Sequence, residues 1–320
     1  MTLSIKRTAA VTGARGLVGQ AIIKHLLDKG WQVRALTRSN VSYDDPRIQV
    51  IKSDINSEEG LRCLLHEVEA IFHCAGEISD EKKMHSTNVE GTRTLLSIVK
   101  ETQALYFCHI SSAGVVGPTK NHIVNEETYC NPSNLYERTK YESEQLVLNA
   151  NLKMNTVILR PTNVVSVTKL GVFLLLPIRN NWKDKLKVFI TGREGAHTVH
   201  VDNVAESTLY LLDNKAPGVS VYFISSDDGK LSTVSDIYNS YLFICRNKKY
   251  KMRFSLPVFI PYFMRKICRG SDLHGSVQFS SNKIKDKGFI FKYSIEDIFR
   301  KTCIEISKQM TCLQLHVFQH

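Results

Sequence analysis

The run Thr12-Gly13-Ala14-Arg15-Gly16-Leu17-Val18-Gly19 constrains what this chain can fold into more than any other. It stands between a β-rich run, Thr8 to Thr12, and a run from Leu17 to Asp28 with apolar residues at helical spacing (Val18, Ala21, Ile22, Leu26, Leu27). In a strand-turn-helix context the first glycine allows a tight turn. The second lets the backbone approach a pyrophosphate, and the third lets the helix pack close to the sheet. Amides at the start of the helix, around Leu17 and Val18, then face the anion.

The rest of the first half keeps the same rhythm. Strands are predicted at Gln32 to Thr37, Ile48 to Lys52, Ala70 to Cys74, Leu105 to Ser111 and Thr156 to Leu159, and helices at Leu61 to Val68, Asn88 to Glu101 and Tyr136 to Asn149. Alternation of this kind predicts an α/β fold, a doubly wound parallel (Rossmann) sheet that binds ligand outside the carboxyl ends of its strands. After Pro161 the rhythm breaks. Residues 1–165 are therefore expected to form a dinucleotide-binding domain. Residues 166–320 are expected to form mainly a smaller C-terminal substrate lobe, interleaved with returning strands such as Val219 to Ser225.

Composition excludes whole classes. With 43% hydrophobic and 23% charged residues, the 320-residue chain is neither disordered, collagen-like nor coiled-coil. Its eight cysteines show no C-x-x-C and no zinc-type spacing, so they read as reduced core residues of a cytosolic protein with no metal site. Met1 to Arg7 lack the apolar core of a signal peptide, and no apolar run reaches about 18 residues. The expectation is a cytoplasmic protein with no transmembrane segment.

The net charge of +11 is uneven, with 14 Lys/Arg against four Asp/Glu between Ser240 and Lys301. A basic surface attracts anions, but no nucleic-acid-binding motif accompanies it, so nucleic acid is not an expected partner. The most apolar stretch is Phe254 to Cys268. It reads first as a packed lobe segment broken by two prolines, and second, because Arg265, Lys266 and Arg269 flank it, as a patch peripheral to a membrane surface.

Two further features bear on chemistry. An NAD-selective fold usually ends its second strand with an acid for the ribose hydroxyls. Here that strand ends Ala35-Leu36-Thr37-Arg38-Ser39, and Arg38, aided by Arg15, could form a fork to a 2′-phosphate. NADP(H) is therefore favoured over NAD(H) as cofactor. Tyr136 and Lys140 stand i, i+4 in Tyr136-Glu137-Arg138-Thr139-Lys140, on one helix face, where the ammonium is expected to lower the phenol pKa. Ser112, at the end of the fifth strand, could orient a substrate oxygen towards that phenol.

With these motifs in order, residues 6 to 300 resemble the extended short-chain dehydrogenase/reductase family, whose members include nucleotide-sugar epimerases, dehydratases and reductases. Ser53-Asp54-Ile55 is similar to the family's adenine-contacting acid, and His73-Cys74-Ala75-Gly76 to its segment beside the cofactor after strand four. Asn88-Val89-Glu90-Gly91-Thr92 resembles its asparagine-headed helix, and Leu159-Arg160-Pro161-Thr162-Asn163-Val164 its strand-six exit, where an asparagine contacts substrate. Val199-His200-Val201-Asp202-Asn203-Val204-Ala205 is similar to the opening of a late helix, and Lys287-Gly288-Phe289 through Asp297 to the closing strand-helix. The resemblance implies catalysis by Ser112, Tyr136 and Lys140. It implies a cofactor held by Gly13, Arg15, Gly16, Leu17, Val18, Gly19, Arg38, Asp54, Ile55, Cys74, Ala75, Gly76, Asn88, Tyr136, Lys140 and Pro161. A family-type homodimer through two helices is also implied. Plainer roles stand beside these: Asp54 as a helix cap, Cys74 as packing, Asn163 as a turn residue, His73 and His200 as packed histidines.

Departures narrow the reaction. Family dehydratases carry Thr-Asp-Glu where this chain has Ser112-Ala113-Gly114, so elimination of water is not expected. The first expectation is NADP(H)-dependent reduction of a 4-keto nucleotide-sugar for surface polysaccharide synthesis, with Arg193 and Arg246 as candidates for the substrate diphosphate. The alternatives are a nucleotide-sugar 4-epimerase with tightly bound NAD, and a steroid- or flavonoid-type alcohol dehydrogenase whose pocket uses the 254–268 segment.

Overall fold

A computed structural model describes residues 7–167, 182–214, 217–246, 254–269, 275–301 and 303. Arg246 belongs to a described helix, but its side chain, and the role in diphosphate binding expected of it, lie outside the described residues.

Seven parallel strands form one sheet. They are β1 (Thr8–Thr12), β2 (Gln32–Thr37), β3 (Ile48–Lys52), β4 (Ala70–His73), β5 (Tyr106–Ile110), β7 (Asn155–Pro161) and β10 (Val219–Ile224), in the order β10-β7-β5-β4-β1-β2-β3. Two-residue β6 (Ile123–Val124) pairs with β11 (Gln278–Phe279), and β8 (Asn163–Val165) pairs with β9 (Thr198–His200), outside that sheet. The central strands β4 and β5 are buried at every residue, as expected of a sheet covered on both faces.

One face carries α1 (Leu17–Asp28) and the helix Val201–Asp213 over a cluster with Ile22, Leu26, Trp31 and Tyr222. The other carries α2 (Glu58–Leu65), α4 (Gly91–Val99) and α5 (Leu135–Leu148) over Leu61, Leu64, Leu95 and Phe107. A third cluster joins Val188, Ile237, Tyr241, Ile298 and Phe299 from helices Trp182–Thr191, Val234–Arg246 and residues 295–301.

Several expectations need correction. The helix expected at Leu61 to Val68 starts three residues earlier, because the Ser57 hydroxyl caps it by accepting from Gly60 N. The helix expected over Asn88 to Glu101 begins inside a π-turn at Ser86–Glu90 that follows directly on α3 (Glu81–His85), and continues as α4, which ends at Val99. Around Lys287 to Phe289 there is no strand, since Gly288 turns at φ +97° and Phe289 N returns to Ile284 O.

The cysteines also differ from the reading of reduced core residues. Cys245 and Cys303 are disulfide-bonded across the third cluster, a pairing of residues 58 apart that spacing alone does not disclose. Cys63 is exposed on α2, and only Cys108 of the four free cysteines described is fully buried. The stretch Phe254 to Cys268 is not broken by both prolines. Pro261 sits in the first turn of a helix, Phe259–Arg269, where a missing amide costs nothing, and most of that helix's apolar side chains are exposed rather than packed.

Candidate active site

Gly13 adopts φ +63°, and a Cβ placed there would lie 2.6 Å from backbone atoms of Cys74 and Ala75, so the β1 turn and the β4 exit touch backbone to backbone. At Gly19 a Cβ would meet Gly13 O at 2.3 Å, which is the close helix approach that the third glycine permits. α1 begins with no side-chain cap and no acid in its first turn, leaving the amides at Leu17 and Val18 to an incoming anion.

Above this turn lies a cavity of about 320 Å³. Gly13, Arg15, Gly16, Arg38, Asp54, Ile55, Cys74, Ala75 and Gly76, all expected from sequence, line it. So do Leu36, Thr37, Ser39, Ser53 and Thr87, which the sequence reading missed because a cavity wall also takes whatever neighbours a recognisable residue. Arg38 is exposed at its rim, and no carboxylate ends β2. Asp54 is not the cap of α2. Its carboxylate accepts from Asn56 N and Nδ2 at 2.9 and 3.0 Å and holds the β3 exit loop. The glycine cradle, the uncapped helix and the cationic rim together fit a dinucleotide.

The catalytic candidates come from β5 and α5. A capping box starts α5, with Asn134 accepting from Glu137 N while Glu137 accepts from Asn134 N. That fixes the register that sends Lys140 inward. Lys140 is 4% exposed, donates to Ile110 O at 2.6 Å, and its Nζ lies 4.0 Å from the Cβ position of Gly76, on the cavity wall. Burial pulls its pKa down from 10.5 to about 8, against the opposing pull of Glu144.

The expected acidic phenol is corrected here. Burial raises the Tyr136 pKa above its ordinary value, the Ser112 hydroxyl draws it partly back, and Glu137 adds to the rise. The ammonium is directed to the Ile110 carbonyl at the sheet end, so burial dominates the phenol. Ser112 itself accepts from Gly114 N at 3.1 Å, turning the chain into the 3₁₀ segment Ala113–Val116.

Other candidates act at a distance from the cavity or elsewhere. Asn88 is 2% exposed and accepts from Glu77 N while donating to Glu77 O and Thr139 Oγ1, so its side chain ties the segment after Gly76 to α5. Pro161 is buried at the end of β7 and does not line the cavity. Asn163 is exposed, bonded through Nδ2 to Ala196 O at 3.4 Å, and Arg193 is exposed in the turn after helix Trp182–Thr191; neither lines the cavity.

The histidines are packed. His73 is held between Thr12 and Thr92 hydroxyls at 2.8 Å each, and burial lowers its pKa to about 3, so it stays neutral. His200 accepts from Asp202 N and stacks on Tyr293. Burial lifts the Cys74 thiol to about 12, which leaves it a wall residue rather than a nucleophile. Among the described residues no cluster of His, Cys, Asp or Glu could hold a metal ion, and no helix is long and apolar enough to cross a membrane.

Sequence reading also missed a buried polar group behind Lys140. Glu144 is fully buried one helical turn further along α5. It accepts from Ser111 Oγ at 2.8 Å and pairs with both Nε and Nη2 of Arg160 on β7. The signal was present in the i, i+4 spacing from Lys140, on the same face as Tyr136.

Residues 9–224 match the model of the NAD dependent epimerase/dehydratase family. Among curated proteins, the chain is 29% identical over 230 residues to the 4-hydroxy-2-methyl-3-oxo-4-farnesyl-3,4-dihydroquinoline-1-oxide ketoreductase of Stigmatella aurantiaca, covering 67% of each. It is 24% identical over 344 residues to dihydroflavonol 4-reductase of Arabidopsis thaliana, covering 96% of this chain and 84% of that one. Matches to other curated relatives span about half of the relative's own length, 53%, 52% and 44%. Among solved structures, dTDP-glucose 4,6-dehydratase of Bacillus anthracis in complex with NAD superposes with a TM-score of 0.73 over 94% of this chain and 97% of that one, at 19% identity.

Proposed function

The chain belongs to the NAD dependent epimerase/dehydratase family, and from that premise we propose that it is an NADP(H)-preferring oxidoreductase that reduces a ring ketone of a largely apolar small molecule to the secondary alcohol. One observation supports the proposal: the buried Nζ of Lys140 lies 4.0 Å from the Cβ position of Gly76 on the cavity wall, and one helical turn earlier on α5 the phenol of Tyr136 interacts with Ser112 beyond the end of β5.

A nicotinamide dinucleotide bound in that cavity supplies or accepts hydride. Gly13, Gly16 and the α1 amides would hold its pyrophosphate, Arg38 and Arg15 would meet a 2′-phosphate, and Asp54 and Ile55 would hold the adenine end. Ser112 orients the substrate oxygen, and Tyr136 gives it a proton. That phenol is held protonated by burial, as a proton donor in the reducing direction must be. Lys140, half-way to neutral at pH about 8, would stabilise the phenolate left behind and would bond the ribose of the bound cofactor. The substrate body lies towards residues 166–320.

The substrate class follows the curated relatives, whose names describe a ketoreductase of a farnesylated dihydroquinoline ring and a dihydroflavonol 4-reductase. A 4-keto nucleotide-sugar for surface polysaccharide synthesis is the second reading, and the nucleotide-sugar dehydratase at 19% identity supports the fold alone. The missing Thr-Asp-Glu acids weigh against a dehydratase in either case.

Purified protein with NADPH and two substrate panels, ring ketones of flavonoid or steroid type and 4-keto nucleotide-sugars, separates these readings. NADPH oxidation with the first panel is expected. Turnover confined to the second gives the second reading, and interconversion of two sugars without added cofactor overturns a reductase altogether. Tyr136→Phe is expected to cost at least about 100-fold in turnover while leaving cofactor affinity nearly intact.

A further inference from the structure

We propose that the outer face built by helices Trp182–Thr191 and Phe259–Arg269 docks the protein reversibly on an anionic lipid surface.

The helix Phe259–Arg269 is amphipathic in the wrong sense for a helix on a globular body. Its polar Arg265 points inward, bonded through both terminal nitrogens to Glu194 at 2.6 and 2.9 Å. Its apolar residues Phe259, Phe263, Met264 and Ile267 are 56%, 56%, 54% and 82% exposed. These stand at i, i+4, i+5 and i+8, one face of a helix. The helix Trp182–Thr191 does the same. Val188 is buried in the third cluster, whereas Trp182, Leu186 and Phe189, at i, i+4 and i+7, are exposed.

The two faces are joined. Leu256 N donates to Phe189 O, Ser255 Oγ donates to Val188 O, and Phe254, 77% exposed, lies in the same connecting strand of chain. Large apolar side chains exposed together on two neighbouring elements mark an interaction site rather than scattered surface.

Charge selects the occupant. Lys183, Lys185, Lys187 and Lys266 are exposed beside the apolar residues, outnumbering the one acid of helix Trp182–Thr191, Asp184, and the Glu194 carboxylate at the seam is taken by Arg265. Lys183 and Lys266 lay their chains along the Trp182 and Tyr262 rings, with Nζ 5.8 Å from each centroid, so apolar stem and ammonium are presented together. Apolar residues that enter the acyl boundary, with lysines at the phosphate level, are the pattern of an interfacial helix. A second copy meeting this face about a two-fold axis would bring lysine against lysine. The inference is independent of which ketone is reduced.

The test uses the full-length protein and sedimentation with vesicles of phosphatidylcholine alone or mixed with phosphatidylglycerol, at low and high salt. The protein is expected to pellet with the anionic vesicles at low salt. Trp182 emission should then shift to the blue, while Trp31, 2% exposed, is already buried and contributes no change. Phe263→Glu with Ile267→Glu should abolish binding without moving the thermal midpoint. Lys183→Gln with Lys187→Gln should weaken binding to anionic vesicles by about fivefold per lysine and leave neutral ones unaffected. Failure of the wild type to pellet, or binding indifferent to both double variants, overturns the proposal. A wild-type dimer that Ile267→Glu converts to monomer, with no vesicle binding, also overturns it and gives the face to a second copy.

Discussion

Lys140→Met tests the central tension of the site, a charge held where water is absent. A pKa brought from 10.5 to about 8 corresponds to about 3 kcal/mol of destabilisation carried by the protonated lysine. Methionine has similar length and no charge, and the loss of the bond to Ile110 O gives back about 1 kcal/mol. The cofactor-free variant should therefore be about 2 kcal/mol more stable than wild type at pH 7, a rise of several degrees in thermal midpoint. The sign has a pH signature. Below about 8 the amine is protonated in both folded and unfolded chains and the full penalty is present. Between about 8 and 10.5 the unfolded chain binds the extra proton, so wild-type stability gains with rising pH and the advantage of the variant disappears. Urea unfolding at pH 7 and pH 10 measures this directly, and the role proposed for Lys140 in stabilising the phenolate left after proton transfer predicts that turnover in the variant is lost. A variant less stable than wild type at pH 7, or a stability difference identical at the two pH values, would refute the reasoning.

Further outcomes follow from the same geometry. Arg38→Ala should raise the KM for NADPH about 10- to 100-fold and leave NADH nearly unchanged, read by initial rates with each cofactor. Gly13→Ala should destabilise by about 2–4 kcal/mol, because its Cβ would sit 2.6 Å from backbone atoms at positive φ, and should remove the thermal shift given by NADP(H). Arg160→Met should cost about 3–5 kcal/mol in chemical unfolding by leaving the Glu144 carboxylate buried without its partner. Arg160→Met combined with Glu144→Met should recover most of that loss, since no buried charge is then unpaired.

What could be read from the chain by itself was whatever short-range periodicity and local backbone chemistry dictate. The strands at Thr8–Thr12, Gln32–Thr37 and Ile48–Lys52 and the helix Leu17–Asp28 appear with the bounds expected of them, because glycine turns and apolar spacing act within a few residues. The same locality placed Tyr136 and Lys140 on one helix face and Arg38 at the end of β2.

Tertiary structure decided what depends on residues far apart. The π-turn at Ser86–Glu90 arises where Asn88 must bridge Glu77 and Thr139, and the Cys245–Cys303 bond arises where two helices meet 58 residues apart. The phenol pKa rises rather than falls because burial, a property of the whole fold, outweighs an amine that the fold directs to a carbonyl. Likewise the sequence marked Phe254 to Cys268 as apolar, but only the packing of Arg265 on Glu194 determined that its apolar face turns outward. Spacing along a chain reports which side chains share a face; which face is buried depends on what the rest of the chain brings against it.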